Sequence, residues 1–153
     1  MRPRKPRPFA AGTTVAAEKT KQEIERLVSD HGGKQFFSGW KDDHTAVVGF
    51  RANDRIVRLE LPLPQAPQGR KNDAELQRRW RCLLFALKAQ FTVVETGIKT
   101  FEQAFFADIV TANDQTVYEA AHAAVAEMYR TGKVARMLGP AVSGPAEYEP
   151  PAR

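Results

Sequence analysis

The most chemically suggestive side chains form one short cluster, Asp42, Asp43 and His44. Carboxylates beside an imidazole can hold a metal ion or move a proton. The other two histidines, His31 and His122, are distant in the sequence, and no pair has a metal-ligand spacing such as H-x-x-x-H. We therefore interpret this segment as a turn and predict neither a metal site nor catalytic residues. An enzyme that uses the cluster is the least favoured hypothesis.

Cysteine and glycine usage excludes further kinds of site. Cys82 is the only cysteine, so neither an intrachain disulfide nor a cysteine-rich metal site can form. The glycines show neither the G-x-x-x-x-G-K-[ST] pattern nor the G-x-G-x-x-G pattern, which excludes a nucleotide-hydrolysing motor. We expect Cys82 to be an unreactive thiol within a helix, and we predict no cofactor.

Clusters of arginine and lysine favour contact with nucleic acid, either DNA or RNA. These side chains bind backbone phosphates, the arginines through paired hydrogen bonds, without distinguishing base sequences. The predicted phosphate-binding residues form a terminal, a central and a helical group: Arg2, Arg4, Lys5 and Arg7; Arg51, Arg55 and Arg58; and Arg70, Lys71, Arg78, Arg79 and Arg81. The alternative is that the helical group consists of solvated charges that keep a helix soluble.

The distribution of charge limits this hypothesis. The 153 residues carry a formal net charge of +5. Residues 1–8 account for +4 of it, which leaves +1 for the other 145 residues. Binding by the folded part therefore requires that its cations be segregated locally. One continuous basic surface that joins residues 51–58 and 70–81 would favour nucleic acid, whereas separate ion-paired patches would favour the alternative.

Aromatic residues near the central group offer a second type of contact. Phe36, Phe37 and Trp40 lie between Lys34 and Lys41 in a predicted strand. An exposed ring beside basic side chains is a platform on which nucleic-acid bases stack. The alternative is that these rings form the core between the sheet and the helices.

The chain length suits one domain. Residues 1–12 alternate proline with basic residues, and residues 139–153 are rich in proline, glycine and alanine. We therefore predict a disordered basic arm and a disordered tail on either side of a single domain over residues 13–138. No segment approaches the roughly 20 apolar residues of a membrane span, and the apolar core of a signal peptide is missing. This pattern is typical of a cytoplasmic protein.

Three capping patterns and one apolar stripe predict four helices. Thr20, Thr100 and Thr116 are each followed three residues later by Glu or Gln, which predicts a capping box at the start of the first helix and of the last two. An apolar stripe over about five turns predicts a long helix that begins at Asn72 or Asp73. Glycines follow the helices as stop signals.

Apolar alternation between short turns predicts three antiparallel strands, over residues 34–40, 45–50 and 55–61. A further turn at Asn113 and Asp114 is the tip of a small predicted hairpin over residues 108–117. The fold class is therefore α+β, a three-stranded antiparallel meander packed against helices in the order α-β-β-β-α-α-α.

Three segments carry a resemblance to known sequences: EIERLVSDHGGKQFFSGW, VVGFRANDRIVRLELPLP and, at residues 78–110, RRWRCLLFALKAQFTVVETGIKTFEQAFFADIV. Over residues 13–138 the chain resembles a family of small proteins of unassigned function that are encoded by bacteriophages and prophages. The resemblance implies an intracellular phage-type protein that acts in nucleic-acid metabolism or against host defence, and it implies no active-site residue. The order α-β-β-β-α is also similar to that of double-stranded-RNA-binding domains, an analogy of fold alone.

Two functional hypotheses follow. The leading one is a non-enzymatic, phage-type accessory protein that binds nucleic acid in DNA or RNA metabolism or recombination. The alternative is a protein-interaction module, such as an inhibitor of a host defence protein or a small homo-oligomer, for instance a homo-dimer. It is motivated by an apolar density in the last two helices that exceeds the capacity of one small core: Phe101, Phe105, Phe106, Val117, Tyr118, Met128 and Tyr129.

Overall fold

A computed structural model describes residues 9–63 and 73–137 of the chain. These residues form two compact units, one that ends at Val117 and one that begins at Tyr118. The elements in chain order are α1 (Ala17–Asp30), β1 (Lys34–Asp42), β2 (Thr45–Ala52), β3 (Arg55–Pro62), α2 (Asp73–Glu95), α3 (Phe101–Phe105), a 3₁₀ turn (Phe106–Asp108) and α4 (Val117–Thr131). The predicted α+β class and the order of elements are confirmed. Residues 1–8 of the predicted arm and the predicted tail lie outside the described residues.

The first helix begins one turn earlier than its predicted capping box. Its N-cap is Ala16, and Thr20 is fully buried within the helix, one turn before the buried Ile24. The Glu23 carboxylate is instead paired with Arg81 at 2.7 Å. The capping box of Thr20 and Glu23 is therefore wrong, because the apolar face of α1 carries Thr20 into the core.

The capping box at Thr100 is confirmed. The Thr100 hydroxyl accepts a hydrogen bond from the Gln103 backbone N–H at 3.2 Å, and the Gln103 side chain accepts one from the Thr100 N–H at 2.9 Å. Two backbone donors that have no partner inside the helix are thereby satisfied.

The sheet has the order β1-β2-β3, with both pairs antiparallel. The β2–β3 turn consists of Asn53 and Asp54, both in the left-handed region with φ of 47° and 57°. Such a two-residue turn matches the twist of the strands it joins. Along β2, Ala46, Val48 and Phe50 are buried on one face, and the residues between them point to the other.

Three helices cover the face of the sheet that carries Phe50. The ring of Phe91 on α2 lies 6.1 Å from that of Phe50 and 5.1 Å from that of Phe105 on α3. Trp80 and Leu84 of α2 are buried in the same core. We refer to this side of the sheet as the helix face. Burial of these large side chains is the main stabilisation of the first unit.

The opposite side of the sheet, which we call the open face, is defined by three rows of residues that lie directly opposite one another in register. The rows are Lys34, Arg51 and Ile56; Phe37, Gly49 and Arg58; and Gly39, Val47 and Glu60. Successive rows are about 7 Å apart along the strands. Lys41 follows on the same side and pairs with Glu60 at 2.6 Å.

The predicted hairpin over residues 108–117 is confirmed. Val110 forms a bridge with Thr116, and its backbone N–H donates to the Ile56 carbonyl at 2.8 Å. The hairpin thus adds a short antiparallel bridge to the edge of β3. Its tip carries Asp114, which lies in the left-handed region with φ of 57°.

The second unit contains α4 up to Thr131, and Gly132 follows with φ of 68°. Within this unit, Arg130 pairs with Glu127 one turn earlier. Of the helices in residues 9–63 and 73–137, none combines the length and the apolar character that crossing a membrane requires.

Candidate nucleic-acid interface

Half of the predicted phosphate-binding residues lie outside the described residues. They are Arg2, Arg4, Lys5, Arg7, Arg70 and Lys71. The other half lie on two surfaces, α2 and the sheet, which differ in how their charge is compensated.

On α2, one carboxylate pairs with two arginines. Both oxygens of Glu75 accept hydrogen bonds from Arg78, from Nε at 2.8 Å and from Nη2 at 2.7 Å. The Nε of Arg79 donates to the same carboxylate at 3.0 Å. The hydrogen bonds from Arg78, followed by those from Arg79, lower the pKa of Glu75 to about 2. The three residues therefore form an ion-paired cluster on about one turn of helix, in which one carboxylate offsets half of the charge of the two arginines.

Arg79 and Arg81 also join α2 to the elements beside it. Arg79 Nη1 donates to the carbonyl of Pro62 at the end of β3, at 2.6 Å. Arg81 Nη1 donates to Glu23 of α1 at 2.7 Å, and its guanidinium lies 5.7 Å from the ring of Phe85. Each group that holds two elements together is less available for a ligand.

The central group does not lie on a single face. Arg55 lies opposite the buried Ala52, on the helix side, and pairs with Glu102 of α3 at 2.6 Å. Arg58 lies on the open face, as its alternation with the buried Val57 predicts, and donates to the Asp114 carboxylate at 3.0 Å and to its backbone carbonyl at 2.9 Å.

Arg51 differs from the other predicted phosphate-binding arginines that the structure describes. It is exposed on the open face, directly opposite Lys34, and neither side chain forms an ion pair with any residue in the described part of the chain. The cations of α2 and the pair of Lys34 and Arg51 therefore do not form one surface, because α2 packs on the helix face and Arg51 lies on the other side of the sheet. For the arginines of α2, which are ion-paired and separate, this arrangement favours the alternative that they are structural surface charges.

The aromatic cluster of β1 is divided between core and surface. Phe36 is half-buried and packs against the core, whereas Phe37 is 48% exposed and Trp40 is 60% exposed. The ring of Phe37 lies over Gly49, so close that a Cβ at this position would overlap ring atoms Cε1 and Cζ. Glycine in the centre of β2 thus creates the space that seats an exposed ring on the sheet.

The cluster of Asp42, Asp43 and His44 adopts the predicted turn. Asp42 Oδ1 accepts a hydrogen bond from the His44 backbone N–H at 2.7 Å, and this bond lowers the pKa of Asp42. Among the residues that the structure describes, no three His, Cys, Asp or Glu side chains are grouped so that they could hold a metal ion.

The remaining histidine of the first unit and the single cysteine have structural contacts. His31 Nε2 lies 2.9 Å from Glu95, Nδ1 lies 2.7 Å from the Leu27 carbonyl, and the ring stacks on Phe91. Cys82 is partly buried, with its Sγ 4.0 Å from the carbonyl oxygen of Phe9. His31 therefore contributes to the packing of α1 against α2, and Cys82 to the packing of α2 against the segment that precedes α1.

Glu75 opposes the arginines of residues 70–81 in the sequence, but its pairing with both Arg78 and Arg79 was not predicted, and neither was the role of Gly49 as the seat of Phe37. The first signal was present, because acid and base three or four residues apart on a helix are neighbours. No family model, curated protein or solved structure matches this chain. Function is therefore inferred from the geometry of the open face.

Proposed function

We propose that this protein is a non-enzymatic, phage-type accessory protein that binds single-stranded nucleic acid on the open face of its sheet. One observation carries the proposal: the half-exposed ring of Phe37 lies over Gly49, one row from the exposed cations Lys34 and Arg51. A ring that lies exposed on a sheet can stack on a base, and adjacent cations neutralise the phosphates.

A single strand suits this face better than a duplex does. Stacking on a protein ring requires a base that is not enclosed in a helix, and single strands present such bases. Stacking and phosphate contacts are tolerant of sequence, so we expect little base specificity. Cytoplasmic action in DNA or RNA metabolism agrees with what the phage resemblance implies.

The basic arm is expected to add affinity that depends on salt. Its cations are Arg2, Arg4, Lys5 and Arg7. Each phosphate that a cation neutralises releases counterions, so the affinity falls as the salt concentration rises. Replacement of all four by Gln in the full chain should reduce the salt slope and leave the contribution of Phe37 intact.

The central experiment measures fluorescence anisotropy of labelled single-stranded and duplex oligonucleotides with the Phe37→Leu variant. Leucine keeps an apolar side chain over Gly49 but has no ring. We expect the single-strand affinity to fall about tenfold, since one stacked base contributes roughly 1–3 kcal/mol. Phe106→Leu is the matched control, because Phe106 is also an exposed phenylalanine but lies after α3.

Two results would contradict the proposal. One is the absence of binding to any nucleic acid at low salt, or an affinity that does not change with salt. The other is an equal loss in the Phe37→Leu and Phe106→Leu variants, which would show that the open face has no special role.

A protein partner is the second candidate function, and a different surface favours it. Ile98 and Phe106 are 72% and 60% exposed and line an open groove of about 650 Å³ beside α3. Exposed apolar groups of this size are typical of interaction sites. If this function is correct, Phe106→Ser should abolish self-association in light scattering, or capture of a host protein, while oligonucleotide binding is unchanged.

A further inference from the structure

Two like charges lie directly opposite each other at one end of the open face. Lys34 and Arg51 are register partners of β1 and β2, and both side chains are exposed. Like charges in this relation destabilise a sheet. Elsewhere on the same face the cation Lys41 has an acidic partner, Glu60. The pair is therefore a candidate site for an anionic ligand.

The backbone around this pair is unusual. The pair borders a pocket of about 400 Å³ that also includes Gly32, Gln35, Asn53 and Asp54. All four have positive φ, which glycine and the turn residues Asn53 and Asp54 adopt readily. Gln35 is the exception, because a φ of 54° is a backbone conformation that few residues of its type adopt. Such strain costs on the order of 1–3 kcal/mol, and it concentrates at ligand-binding sites.

The side chains of the pocket favour an anion. A guanidinium and an ammonium on one wall suit the oxygens of a phosphate group, and the Asn53 amide adds hydrogen-bonding capacity. Among the described residues that line the pocket, Asp54 is the only acid, which leaves a net positive charge among them. Asp54 therefore limits the affinity for an anion rather than preventing its binding.

From this arrangement we infer that the pocket between Lys34 and Arg51 is a phosphate-binding site. The inference rests in part on the proposed function, because the row of Phe37 lies about 7 Å away along the strands. A nucleotide whose base stacks on Phe37 brings a neighbouring phosphate to the pair. The phosphate belongs either to a nucleic-acid strand or to a free phosphate compound.

The test uses the full chain labelled with ¹⁵N, titrated with inorganic phosphate and with a short single-stranded oligonucleotide. Both ligands should shift the amide resonances of residues 32–35 and 51–54. Lys34→Gln and Arg51→Gln should each weaken phosphate binding at least about fivefold, since each removes one charge-assisted contact. Asp54→Asn should strengthen it.

Lys99→Gln is the control, because Lys99 is exposed in the same unit and the substitution removes the same charge away from the pocket. The inference is overturned if phosphate leaves residues 32–35 and 51–54 unshifted, or if Lys99→Gln weakens binding as much as the two pocket variants. Unchanged amide spectra away from the substituted residues would show that the variants are folded.

The two proposals can fail separately. In one outcome, Phe37→Leu weakens oligonucleotide binding, but Lys34→Gln and Arg51→Gln change the affinity for neither phosphate nor the oligonucleotide. The phosphate site is then wrong, and the proposed function stands. If inorganic phosphate binds in the pocket but no oligonucleotide binds, the site is confirmed as one for free phosphate compounds, and the proposed function is wrong.

Discussion

Two surfaces of this protein carry arginines that look alike in the sequence but have different roles in the fold. On α2, Arg78 and Arg79 share the carboxylate of Glu75 at 2.7–3.0 Å. On the open face, Arg51 lies opposite Lys34 and has no acidic partner in the described part of the chain. The arginines of α2 form ion pairs within the protein, whereas Arg51 on the open face is available to bind a ligand.

This difference shows that the count of cations in a segment does not measure its capacity to bind an anion. Residues 70–81 have the densest positive charge of the folded part, yet each of the three described arginines there has an ion partner. A ligand must compete with those partners, whereas at Arg51 it meets an uncompensated charge. The less conspicuous group in the sequence is therefore the better candidate site.

The largest expected effect comes from filling the space under Phe37. A side chain at Gly49 would overlap the ring, so Gly49→Val should displace it and lower single-strand affinity at least about tenfold. Valine itself suits a strand, so the fold should be retained. Gly39→Val is the matched control, because a Cβ at Gly39 has nothing within 4 Å. An affinity unaffected by Gly49→Val would contradict the role of the ring.

The comparison of the two surfaces is tested directly by removing charge from each. Arg51→Gln should weaken oligonucleotide binding about fivefold and reduce the salt slope by about 1. The double substitution of Arg78 and Arg79 by Gln should change affinity less than about twofold, although it removes twice the charge. Anisotropy titrations at several salt concentrations measure both. If the double variant loses more affinity than Arg51→Gln, α2 is the binding surface.

The ion pairs of Glu75 with Arg78 and Arg79 predict that the free energy of unfolding depends on pH. The pKa of Glu75 falls from 4.5 to about 2 on folding, so its contribution is complete above pH 4.5 and is lost as the pH falls from 4.5 towards 2. Glu75→Gln should cost about 1 kcal/mol at neutral pH, since partial exposure screens the pairs. In urea unfolding, the difference between the two proteins should shrink below pH 4.5, and a constant difference would refute this prediction.

The smallest expected effect comes from releasing a second arginine on the open face. Arg58 donates to the Asp114 carboxylate and to its backbone carbonyl. Asp114→Asn removes the charge and keeps the carbonyl, and asparagine tolerates the positive φ at this position. Affinity for an oligonucleotide should rise about twofold. A decrease would mean that the pair positions Arg58 for the ligand, so that its release is harmful.

Much of the fold was predictable because its signals are local. The strands over residues 34–62 follow from apolar alternation between turns, and α2 follows from a long apolar stripe. The start of α1 was not predictable in this way. Thr20 has the residue type of a helix cap, and only the packing of its side chain into the core shows that the helix begins at Ala17.

The site was predictable only in part. Alternation along β3 placed Arg58 away from Val57, and composition placed Phe37 near cations. No local pattern could show that Arg55 pairs with Glu102 or that Arg81 pairs with Glu23, because 47 and 58 positions separate these partners. The register of β1 against β2 likewise brings Lys34 to Arg51, and it involves a shift that no periodicity predicts.

The sequence by itself determined the elements, their order and the residues that the chain offers to an anion, because short-range periodicity, capping and turn chemistry act between near neighbours. The tertiary structure decided which of those cations are compensated and which remain available. That decision depends on distances between groups far apart in the chain, and an ion pair exists only where the fold brings its two members within a few ångströms.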